Sequence, residues 1–127
     1  MKKVSLVLFV ALMLSGIVGK AQEVPDISGL WKRNDGLMFK FSQNDKKVTV
    51  ILDVSTLHHV VTMTYKGNDI FKGTMDRRNT SNGCTTYLSW KVELVSDTQM
   101  RLSEGALDSN CDVPISYKAD FVLTKQD

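Results

Sequence analysis

His58 and His59 are the only histidines in the chain, and they stand side by side. On a strand, successive side chains leave opposite faces, so two adjacent rings cannot approach one metal ion. The nearest carboxylate is Asp53, on the preceding run and across a hairpin. One imidazole and one carboxylate fall short of a zinc ligand set. The pair reads as an exposed hairpin start with one ring partly packed. Cys84 and Cys111 are the only cysteines. With no C-x-x-C spacing and no neighbouring histidine, they read as one disulfide rather than a redox or metal pair. A loop of that size predicts about 3.5 kcal/mol of stabilisation from lost chain entropy. A nucleophile needs a base within reach and a group orienting that base. Only Ser55 lies near the histidines, and no G-x-S-x-G occurs. Asp53, Asp76, Glu93, Glu104 and Asp120 fall mainly on the polar parity of their runs and are expected on a solvated outer face. The reading is therefore no catalytic residue, no metal site, no cofactor and no enzyme.

The elements that would position any site are strands. Val48, Val50, Leu52 and Val54 alternate with Thr49, Ile51, Asp53 and Ser55, a period of two. Leu88, Trp90, Val92 and Leu94 repeat the pattern, as do Tyr117, Ala119, Phe121 and Leu123. β-branched and aromatic residues fill these runs, as a half-buried pleated surface prefers. Asn34-Asp35-Gly36, Asn44-Asp45, Gly67-Asn68 and Ser96-Asp97 supply turn chemistry between them. Eight strands are expected, over about residues 28–34, 37–43, 47–55, 58–66, 69–77, 85–95, 98–105 and 115–125. Short links favour an antiparallel up-and-down meander. Closing it into a barrel removes both edges. The fold class is thus all-β, an eight-stranded barrel.

The first residues set the compartment. Lys2 and Lys3 precede a mostly apolar run from Val4 to Val18, and Gly19-Lys20-Ala21 places small residues at −3 and −1 of a cut before Gln22. That is the layout of a secretory signal peptide. The apolar run of about fifteen residues is shorter than the roughly twenty a membrane span needs. Residues 1–21 are read as a signal, 22–27 as a flexible lead-in and 28–127 as the barrel domain, exported to a periplasmic or extracellular space. Without Lys2, Lys3 and Lys20, the 16 basic residues fall to 13 against 14 acidic ones. A nearly neutral domain has no general electrostatic reason to seek nucleic acid or an anionic membrane. Lys32-Arg33, Lys46-Lys47 and Arg77-Arg78 read as solvated edges and loops.

Ser28-Gly29-Leu30-Trp31 resembles the G-x-W start on the first strand of lipocalin-like and avidin-like barrels, and the final run with Phe121, Leu123 and Lys125 is similar to their closing strand. The chain as a whole resembles the short bacterial lipocalin-like (calycin-type) exported domains. The resemblance implies that Trp31 packs at one end of the barrel with Lys125 crossing it. Two tryptophans are too few for the biotin pocket of avidins. Small periplasmic protease inhibitors share the barrel and one disulfide, but theirs lies early in the chain, whereas Cys84 and Cys111 lie late.

If Val50 and Trp90 face inward, the interior is apolar, with almost no polar group to orient a ligand. Such a barrel is either filled or open at one end to a small hydrophobic molecule. Trp31, Phe39, Met63, Phe71 and Trp90 are then the candidate ligand-lining residues, with Tyr87 at the rim. The alternative is a protein-binding or inhibitor-like module that uses the loops around residues 79–83 and 107–114, both anchored by the cysteines.

Overall fold

The structure, a computed structural model, describes residues 23–127. The signal reading of residues 1–21 and the cut before Gln22 lie outside the described residues. Eight strands follow in order: β1 (Gly29–Arg33), β2 (Met38–Asn44), β3 (Lys47–Val54), β4 (Leu57–Tyr65), β5 (Ile70–Asn79), β6 (Thr85–Ser96), β7 (Gln99–Ser109) and β8 (Lys118–Lys125). Each pairs antiparallel with the next, and β1 pairs with β8, so the sheet closes on itself in sequence order. This is the up-and-down barrel architecture of lipocalin-like and avidin-like proteins.

Seven of the strands lie within a few residues of their expected bounds. β7 differs most, because it runs on to Ser109 rather than stopping near residue 105. A register shift between Tyr87 and Leu88 lets β6 keep pairing with it, out to Thr86 opposite Ser109. A bulge of this kind bends the strand without ending the ladder. β8 begins at Lys118, because the chain from Asn110 to Tyr117 is a loop tied down by the Cys84–Cys111 disulfide.

The alternation sorts the interior as expected. Trp31, Phe39, Phe41, Val48, Val50, Val61, Met63, Phe71, Leu88, Trp90, Val92, Met100, Leu102 and Leu123 are all buried. Phe39 meets Trp90 edge-on with ring centroids 5.5 Å apart, and Phe41 lies 6.3 Å from Trp31. Offset and edge-on aromatic pairs of this kind add to simple area burial. This packing makes much of the barrel solid.

A meander places alternate links at opposite ends. The β2–β3, β4–β5 and β6–β7 links share one end with both termini, and this end is closed. Ile27 is fully buried there, its N–H donating to Gln43 Oε1 at 2.7 Å while Trp31 Nε1 donates to its carbonyl at 3.0 Å. Gln43 also donates to the Pro25 carbonyl. The segment expected to be a loose lead-in is thus a pinned plug, because one apolar residue and two side-chain amide bonds anchor it. Lys125 Nζ stands 5.4 Å from the centre of the Trp31 ring and donates to the Ser28 carbonyl at 3.2 Å. The implied Trp31–Lys125 crossing is therefore present. Gly29 has a φ of +114°, a conformation that side chains with a Cβ rarely adopt. The glycine of the opening motif is a backbone requirement.

Candidate functional site

The β1–β2, β3–β4, β5–β6 and β7–β8 links ring the other end, and a cavity of about 210 Å³ opens there. Its apolar wall is Leu37, Phe39, Leu52, Val54, Leu57, Met75 and Phe121. Its polar lining is Arg33, His59, Arg77, Glu104 and Tyr117. The polar set corrects two expectations. The interior is not without polar groups, and Glu104 is not on the outer face.

Parity explains both. Glu104 continues the inward series Met100, Leu102 on β7, and it is only 8% exposed. Arg77 continues the inward series Phe71, Gly73, Met75 on β5, so it lines the cavity instead of a solvated edge. Arg33 likewise ends β1 facing Phe121, with its guanidinium carbon 4.0 Å from that ring's centre. The alternation in the sequence was the available signal, but charge type outweighed it.

Each polar group has a defined state. Glu104 sits directly opposite Trp90 in the β6–β7 register. Trp90 Nε1 donates to its Oε1 at 2.8 Å, and the Tyr117 hydroxyl donates to its Oε2 at 2.7 Å. A buried carboxylate needs such donors, since an unmet charge in the interior is costly. Burial, and then the bond to Glu104, push the Tyr117 hydroxyl up to about 12. Arg33 is committed elsewhere: its Nε and one terminal nitrogen donate to the two oxygens of Asp35, at 2.8 and 2.6 Å. That fork holds the Asp35 carboxyl down to about 2.

His59 and His58 part company as strand geometry requires. His58 is on the outside, where its Nδ1 meets Asp53 Oδ1, its partner in register. His59 points in and is 7% exposed. Its Nδ1 lies 3.1 Å from the Leu52 carbonyl. A carbonyl only accepts, so Nδ1 carries the proton, and Nε2 of the neutral ring is a free lone pair. Burial lowers the His59 pKa, and the Arg77 charge acts in the same sense against the opposing bond to Leu52. Arg77 is the register partner of His59 on β5 and forms no ion pair among the described residues.

Of the residues singled out in the sequence, Phe39 lines this cavity. Trp90 bears on it through Glu104. Trp31, Met63 and Phe71 are 1% exposed and packed in the core, outside the cavity lining. Tyr87 projects outward, 42% exposed. The disulfide joins the β5–β6 link to the β7–β8 link at the cavity end, with 5.4 Å between its Cα atoms. It is compatible with an oxidising compartment. Among the described residues, no group of three or more His, Cys, Asp or Glu could hold a metal ion, and no helix is long and apolar enough to cross a membrane.

Two measurements probe these states. Trp90→Phe keeps an aromatic ring and removes one donor to Glu104, so unfolding free energy should fall by about 1–3 kcal/mol. In a Tyr117→Phe background, adding Glu104→Leu should recover part of that loss, because no donor to the carboxylate is then stranded. A double-mutant cycle in urea reads the coupling, and additive effects would refute the bond's importance. The second concerns acid. The unfolded state binds the His59 proton near pH 6.5, and the folded state resists it. Stability is full above that pH and declines as pH falls through the window toward the lowered folded pKa. His59→Phe should flatten that part of the profile of unfolding midpoint against pH. An unchanged slope would mean that His59 does not titrate differently on folding.

Comparison with protein-family models, curated proteins and solved structures finds no match for this chain.

Proposed function

We propose that this chain is an exported, non-enzymatic binding module that takes a small, mainly apolar molecule into the loop end of its barrel. The observation that supports this most is the cavity of about 210 Å³, with apolar walls and a few polar groups converging on it. Ligand sites combine those two features. At about 210 Å³ the cavity is smaller than the roughly 300–1,000 Å³ of drug-sized sites, so it takes only a very small molecule or one end of a longer one. The signal-like residues 1–21 and the disulfide support export. The apolar half of the lining supports the hydrophobic character expected of the ligand, and the polar half refines it.

Native mass spectrometry of protein purified from its own compartment tests the proposal. A co-purifying small mass is the expected result, and Phe121→Trp, which narrows the cavity, should displace it. Persistent absence of any adduct after incubation with a library of small apolar molecules would refute the reading.

A second reading has its own observation. Leu107 and Ile115, 52% and 68% exposed, flank Cys111 on the rim. Apolar side chains held at the end of β7 (Leu107) and on the disulfide-tied loop (Ile115) suit a protein partner, because the rim is already ordered before binding. A protein adduct lost on Ile115→Ser, with no small mass, would favour this module over the carrier.

A further inference from the structure

The cavity's free hydrogen-bonding capacity specifies a head group, and the inference rests on the small-ligand reading above. Arg33 has two of its N–H groups on Asp35. Both oxygens of Glu104 already accept, from Trp90 and Tyr117. Nδ1 of His59 donates to Leu52. Apart from the remaining N–H groups of Arg33, whose charge Asp35 already balances, two capacities lack a partner among the described residues. One is the lone pair at Nε2 of His59, on a ring nine-tenths buried. The other is the guanidinium of Arg77, its neighbour in register. A buried acceptor left unmet is costly, and an unpaired guanidinium attracts an anionic oxygen.

We propose that the cavity selects a small hydroxy acid, with its carboxylate on Arg77 and its hydroxyl donating to Nε2 of His59. The other groups narrow the choice. Glu104 faces the same space with both oxygens already accepting, so it offers no donor to the extra oxygens of a group such as a phosphate monoester. An ammonium in place of the hydroxyl would bring three donors to a single lone pair and a positive charge to Arg77. An alcohol without an acid leaves Arg77 unmet. The apolar wall of Leu52, Leu57, Met75 and Phe121 then takes a short branched or aromatic body.

Calorimetric titration of the full chain with leucate, isocaproate, leucine and isohexanol tests this. These share one branched body and differ only in the head. Leucate should bind tightest, with isocaproate about tenfold weaker for the lost hydroxyl bond, and leucine and isohexanol weaker still. His59→Phe should bring leucate down to the level of isocaproate while both still bind. Arg77→Met should remove the preference of leucate over isohexanol. Leucate, but not isocaproate, should move the nitrogen resonance of Nε2 in the His59 ring. Isocaproate or leucine binding as tightly as leucate would overturn the proposal. So would isohexanol binding best with Arg77→Met inert, although that result would leave the apolar carrier standing. Failure of all four probes would also overturn it, and the adduct spectra would then decide the carrier reading separately.

Discussion

Gly73→Ala should lower the unfolding free energy by about 3 kcal/mol or more, the upper end of overpacking costs. Gly73 lies on β5 between Met63 and Trp90 in register. A Cβ built there falls 1.8 Å from the Thr62 carbonyl oxygen and 2.7 Å from the Met63 Cα. Both obstacles are backbone, so no side chain can rotate away, and β4 would have to move off β5. That shift passes along the row to Trp90 and then Glu104, which sits under the cavity. Gly105→Ala is the control. Its Cβ would meet nothing closer than the Ser89 hydroxyl at 3.5 Å, so its effect should stay within about 0.5 kcal/mol. Urea unfolding of both variants decides the matter. Matching midpoints would mean that the close approach of β4 and β5 is not a constraint.

Replacing both cysteines by serine should cost about 3.5 kcal/mol, from the chain entropy that a bridge across 27 positions removes from the unfolded state. For a domain of this size that is a large share of a net stability of about 5–15 kcal/mol. The loss should fall unevenly. The bridge ties only the two links on one side of the cavity mouth, so amide exchange should quicken most in residues 80–84 and 110–117. The closed end, held by Ile27 and Gln43, should change least. Under reducing conditions the native chain should behave like the double variant. A loss below about 1 kcal/mol would show that the unfolded chain is already constrained in this region.

The barrel was legible because it rests on one repeated rule. Alternation over residues 48–55 and 88–95 places strands and their inner faces without any knowledge of partners. The bounds of β7 and β8 were less legible, since they depend on a bulge in β6 and a cross-link, both of which are long-range. At the site, the same rule would have turned Glu104 and Arg77 inward had it been followed two residues past Leu102 and Met75. Instead the cost of burying charge argued against it. What makes the Glu104 position tolerable, the Trp90 indole and the Tyr117 hydroxyl, arrives from elsewhere in the chain. The free nitrogen of His59 was hidden for a similar reason, because its tautomer is set by a carbonyl seven positions earlier. Ile27 looked like part of a loose leader because its burial depends on Gln43, 16 positions on.

The seam between β1 and β8 has a kinetic consequence. It joins residues as distant as Ser28 and Lys125, 97 positions apart, through three register pairs. Contacts between remote positions form late, and sheets dominated by them mature in milliseconds to seconds. While a newly made chain emerges from its amino end, the Trp31 stave waits with one flank bare until the last stave is synthesised. In that interval the final strand of a neighbouring copy can dock there instead, and a crowded refolding mixture should accumulate strand-exchanged dimers.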